Sequence, residues 1–83
     1  MKRGKLRVHV SPGLFSKERT ASFEAEGGKY TLIVDEEDVV DNQLLVYILQ
    51  EDDRKALIHL PRETLNAGSR VVVPRSALTW VSA

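Results

Sequence analysis

The chain has 83 residues, enough for one domain with one modest core, because a chain of this size buries only about 60–65% of its unfolded surface. It contains no cysteine, which excludes a disulfide scaffold, Cys-ligated zinc, an iron–sulfur cluster and thiol catalysis. Twelve Lys and Arg balance twelve Asp and Glu in a sequence that is 42% hydrophobic, which excludes a bulk polyelectrolyte binder and a disordered chain.

Period-2 alternation dominates along the chain and helical periodicity is nearly absent. Leu6, Val8 and Val10 alternate with Arg7 and His9, which predicts a half-buried strand at 5–10. Residues 1–4 before it are expected to form a disordered basic arm. Ser11-Pro12-Gly13 breaks the strand, since Pro12 cannot donate to a ladder. A loop with an apolar anchor at Leu14 or Phe15 follows. Runs at 20–26 and 29–35 flank Gly27-Gly28, a two-residue linker suited to a primed hairpin turn. That turn would pair Glu26 with Lys29 and Phe23 with Leu32. It collects Ala21, Phe23, Ala25, Tyr30, Leu32 and Val34 on one face.

Residues 35–42 form an acidic connector with room for a helical turn. Strands at 44–51 and 54–60 then surround a turn at Asp52-Asp53. The simplest register pairs Glu51 with Arg54 and Tyr47 with Ile58. It places Leu45, Tyr47, Leu49, Ala56, Ile58 and Leu60 on one face and Val46, Ile48, Leu57 and His59 on the other. This hairpin is therefore apolar on both sides. Residues 58–65 are echoed thirteen residues later by 71–78: a β-type run, Pro-Arg, two small or polar residues, then Leu. In each copy Pro is expected to end the ladder and open a helical turn, and Leu to fold back onto the core. Gly68 closes the first turn in a left-handed conformation. Strands at 70–74 and 78–82 end the chain, with Trp80 as a core plug. Val73-Pro74-Arg75-Ser76 resembles a trypsin-class cleavage sequence, but its place in the echo assigns it to the fold.

The run Leu60-Pro61-Arg62-Glu63, followed by Gly68 and the valine-rich strand, is similar to the swapped-hairpin transition-state regulators and antitoxin DNA-binding folds. Those folds carry a helix of two or more turns between Pro and the second strand, where this chain has only 62–67. Nothing of their function is carried over.

Neutrality conceals three blocks: net +5 over 1–23, −9 over 24–53 and +4 over 54–83. They are expected to meet in the fold and neutralise one another. His9 and His59 lack neighbouring ligands at zinc spacing. The acids of 35–41 lack the alternating oxygens and the central Gly of a calcium loop. No G-x-S-x-G elbow is present, and Glu24 and Glu26 are expected opposite Thr31 and Lys29 on an exposed strand face, which does not suit general acid–base work. No catalytic, cofactor-binding or metal residue is therefore assigned, and the chain is expected not to be an enzyme. The longest apolar run, 44–49, falls far short of the ~20 residues of a membrane helix. No signal segment follows the basic start, so a cytoplasmic location without membrane contact is expected.

These readings converge on an all-β domain spanning 1–83: a small SH3-like barrel of about six short strands with one or two single-turn helical connections. The expected function is a non-catalytic interaction module. Its partner is another protein or a second copy in a homodimer, and its contact surface is the apolar outer face formed by Val46, Ile48, Leu57 and His59. The alternative is a nucleic-acid-binding barrel using Lys2, Arg3, Lys5, Arg7, Phe15, Lys17 and Arg19, a basic arm and loop around an aromatic residue.

Overall fold

A computed structural model describes residues 2–25, 27–65 and 68–81. Nine strands form among them: β1 (Lys2–Arg7), β2 (His9–Pro12), β3 (Glu18–Ala25), β4 (Gly28–Asp35), β5 (Val39–Val40), β6 (Gln43–Glu51), β7 (Lys55–Thr64), β8 (Gly68–Pro74) and β9 (Leu78–Trp80). Single 3₁₀ turns at Glu36–Asp38 and Arg75–Ala77 match the expected short helical connections. The large sheet runs β8-β7-β6-β1-β9, with β5 paired to one end of β6, and the small sheet runs β2-β3-β4. The chain is thus nearly all β, but its two sheets do not close on each other.

Two segments serve both layers. The strand expected at 5–10 starts earlier, at Lys2, and bends at Val8, where the Val8 amide donates to the Asn42 carbonyl at 3.0 Å. Its first half joins the large sheet and its second half the small one. A bend of this kind is how a chain turns the corner between sheets. Residues 2–4 are therefore ladder, not a disordered arm. β7 leaves β8 after His59, and the two strands meet again only at Thr64↔Gly68. Pro61, which has no amide proton, lies within that gap. The Leu65 amide then reaches the Thr31 carbonyl of β4 at 2.9 Å.

The core fills the space between the layers. Leu6, Leu32, Leu44, Ile58, Leu60, Val34 and Val73 are all under 2% exposed. The β3–β4 hairpin buries the expected face: Ala21, Phe23, Leu32 and Val34 are buried, and Phe23 and Tyr30 stack at 5.7 Å. Its register differs by two residues, with Ala25 opposite Gly28 and Phe23 opposite Tyr30. A two-residue shift keeps every side chain on its face, so patterning does not distinguish the two registers. The expected Glu26–Lys29 pair involves a residue outside those described.

The echo holds in its second copy alone. Pro74 precedes the Arg75–Ala77 turn, and Leu78 is buried. In the first copy β7 continues through Pro61 to Thr64, and Leu65 is 71% exposed. Thr64 takes the buried place, its hydroxyl donating to the Gly68 carbonyl at 2.8 Å. Gly68 has φ 73°, the left-handed value expected. Trp80 is half-buried against the core, and the Arg75 guanidinium lies 4.8 Å above its ring. Leu14 and Phe15 do not anchor their loop; they are 90% and 69% exposed at its tip.

Candidate binding surface

The faces of β6 are inverted relative to the sequence expectation. Glu51 pairs with Ala56 across a four-residue turn, Gln50 pairs with Leu57, and a bulge follows, so that Ile48 lies opposite Ile58 and Tyr47 opposite His59. The extra residue, Leu49, shifts the register by one beyond the bulge and so exchanges the side chains between faces. Val46 and Ile48, expected outside, are 3% and 4% exposed and belong to the core. Leu57 and His59 do lie on the outer face, half-buried. Leu45 and Tyr47, 40% and 41% exposed, are the β6 residues beside them. The hairpin remains apolar on both sides, but its outer face is built from other residues.

β1 completes this surface. Gly4 and Leu6 point inward and are buried, which sends Arg3, Lys5 and Arg7 outward. The β1–β6 ladder sets Arg3 beside Tyr47, Lys5 beside Leu45 and Arg7 beside Gln43. The Arg3 guanidinium lies 5.9 Å from the Tyr47 ring centre. On the far side, β8 places Arg70 opposite His59 and Val72 opposite Leu57. The outer face is thus a row of three cations on β1, an apolar and aromatic strip on β6 and β7, and a fourth cation on β8. No carboxylate occurs at these paired outward positions. Asp38 borders the face, lining with Arg3, Leu45, Tyr47 and Pro61 a recess of about 310 Å³.

The other basic residues named from the sequence are placed elsewhere. Lys2 points to the inner side and pairs with Glu51 at 3.3 Å. Arg19 folds over its own loop, donating to the carbonyls of Ser16 and Glu18, and meets Glu36 at 3.4 Å. Phe15 and Lys17 lie exposed in the β2–β3 loop. Arg62 pairs with Asp35 at 3.0 Å. Each of these ion pairs joins a basic block of the chain to its acidic middle. Among the described residues, Lys5, Arg7 and Arg70 have no carboxylate partner.

Other features carry less chemistry. A crevice of about 450 Å³ at the β1–β2 bend is lined by Arg7 and His9 and by the ladder partners Glu24 and Lys29. Among the described residues no cluster of three or more His, Asp or Glu is arranged to hold a metal ion, and no helix is long and apolar enough to cross a membrane. Comparison with protein-family models, with curated proteins and with solved structures finds no match.

Proposed function

We propose that the chain is a non-catalytic binding module that receives an extended, negatively charged partner on the outer face of its large sheet. One observation carries this reading. In a chain with as many acids as bases, that face holds Arg3, Lys5, Arg7 and Arg70 around a partly exposed apolar strip, with no carboxylate at those paired positions and with Asp38 at its border. Cations held on a ladder keep a fixed spacing and attract a polyanion without ordering long loops. The same charges oppose a symmetric homodimer through this face, because a surface carrying these cations would be pressed against its own copy. We further infer an incompletely closed SH3-like barrel, supported by the β1–β2 bend that passes from one sheet into the other and by the Leu65–Thr31 bond that links them after β7; architecture alone does not supply the function.

Heparin affinity at neutral pH tests the reading. The wild-type chain, with no net charge, is expected to be retained and to elute with salt. Arg7→Glu is expected to pass through, while Arg54→Glu, the same charge change on the β6–β7 turn, elutes as wild type. Failure of the wild-type chain to bind, or equal loss from Arg54→Glu, would overturn the proposal.

A further inference from the structure

We infer that the partner on this face is single-stranded nucleic acid, with its phosphates along β1 and its bases on the strip formed by Tyr47 and His59. The inference rests on the binding-module reading and adds the chemical class of the ligand. Three features of the surface lead to it.

The first is spacing. Arg3, Lys5 and Arg7 are successive outward residues of one strand, so their Cα atoms repeat every ~6.8 Å. That repeat is close to the separation of neighbouring phosphates in an extended single strand. A row of this kind tracks a backbone one phosphate per cation, where a cluster on a loop would offer one diffuse charge.

The second is the order of the rows. Tyr47 is the direct ladder partner of Arg3, and His59 the direct partner of Tyr47. Adjacent strands lie ~4.8 Å apart, so the flat rings begin one strand away from the cations. A single strand has the same layout in cross-section: phosphates on one edge and π-faces on the other. Duplex DNA presents phosphates outward with its bases already stacked on each other, which leaves the rings without a partner. An acidic peptide satisfies the cations but has no regular series of flat groups for the strip.

The third is the recess beside Tyr47. Its walls are Arg3, Leu45 and Pro61, and Asp38 is the one acid among the described residues that line it. A carboxylate there repels phosphate and accepts from the exocyclic amine of a base. The recess therefore prescribes which edge of the ligand enters it: the base edge, with the backbone held on β1. Arg70, beyond His59, supplies a cation on the opposite margin.

Fluorescence anisotropy with labelled 15-nucleotide single strands of DNA and RNA tests the inference, with the matching duplex and poly-L-glutamate as competitors. Four outer cations and a slope of about 0.7 per neutralised phosphate give a loss of roughly 50-fold in affinity between 50 and 200 mM salt. Lys5→Glu and Arg7→Glu, confirmed as folded by circular dichroism, should each weaken binding at least tenfold. Arg7→Gln serves where a reversal fails to fold. Tyr47→Ala should weaken binding at least fivefold at both salt concentrations and leave the salt slope unchanged, as loss of a stacking contact requires. Equal competition by duplex or by polyglutamate, or an unaltered affinity for Tyr47→Ala, overturns the single-strand assignment. If Arg7→Glu still abolishes polyglutamate binding in that case, the module reading survives with an acidic protein as its partner. Absence of binding to every polyanion overturns both.

Discussion

Gly4 shows how closely β1 approaches the core. A Cβ built there would lie 2.9 Å from Ile48 Cδ1 and 3.4 Å from the Thr79 carbonyl oxygen. Alanine can be accommodated by rotating the end of Ile48. Valine cannot, because its branches press on both the side chain and the β9 backbone. Gly4→Val is therefore expected to cost about 1–3 kcal/mol, read as a lower urea midpoint; an unchanged midpoint would show that β1 can lift away from the core. Asp52 acts in the turn between β6 and β7 of the same sheet. Its Oδ1 accepts from the amides of Arg54 at 2.8 Å and Lys55 at 2.9 Å. Those two bonds, Arg54 first, hold its carboxyl below the ordinary value of 3.8. A lowered folded-state pKa stabilises the fold above the unfolded value, and the contribution disappears as pH falls through the lowered one. The advantage of the wild-type chain over Asp52→Ala should thus be complete near pH 6 and shrink below about pH 4. Thermal melts across that range would contradict the assignment if the difference widened in acid.

At the scale of the strand, the decisive element is β6. Because Ile48 is core, Ile48→Lys buries a charge with no partner. It should unfold the chain or cost several kcal/mol, whereas Tyr47→Lys, one residue away on the outer face, should leave the melting profile nearly unchanged. Reversal of that order would restore the simpler hairpin register. Period-2 patterning did not reveal the true faces, because Leu44, Val46 and Ile48 are as apolar as Leu45, Tyr47 and Leu49, and a bulge has no signature in such a run. The deciding signal was in a neighbouring strand. β1 has one charged stripe and one apolar stripe, and pairing Leu6 with Leu44 settles which way β6 must face. The β3–β4 faces were legible for the converse reason: their polar and apolar residues alternate cleanly, so even a two-residue error in register left them correct. Of the outer surface, Arg3, Lys5, Arg7, Leu57 and His59 could be named from the sequence. Tyr47 and Arg70 could not, since only the folded ladder brings them alongside. The Asp41-Asn42 turn was hidden within the acidic run. Both residues have positive φ, 53° and 62°, and Val40 pairs with Gln43 across them, as in a two-residue primed hairpin. Asp41→Val, a β-branched residue forced into that conformation, should cost about 1–2 kcal/mol, and Asn42→Gly should not destabilise in the same denaturation assay.

Over the whole molecule, the charge blocks divide into two groups with different tasks. Lys2–Glu51, Arg19–Glu36 and Arg62–Asp35 join distant parts of the chain, but every member is at least a quarter exposed at its side chain. Exposed pairs of this kind contribute about 0–1 kcal/mol each and weaken in salt. The unpaired cations of the outer face act in the opposite sense: they repel one another, and salt relieves that repulsion. The two effects offset, so unfolding free energy should stay within about 1 kcal/mol between 50 and 500 mM salt, measured by urea denaturation at each concentration. Retention on a polyanion should collapse over the same range, because there the cations neutralise an external charge and release its counterions. The contrast separates what holds the fold from what the surface is for. A core of Leu6, Leu32, Leu44, Ile58 and Leu60 shielded from water is indifferent to ionic strength, and a cationic ladder facing solvent is not. Stability that fell by several kcal/mol in salt would mean that the ion pairs, not the interior, keep the two open sheets together.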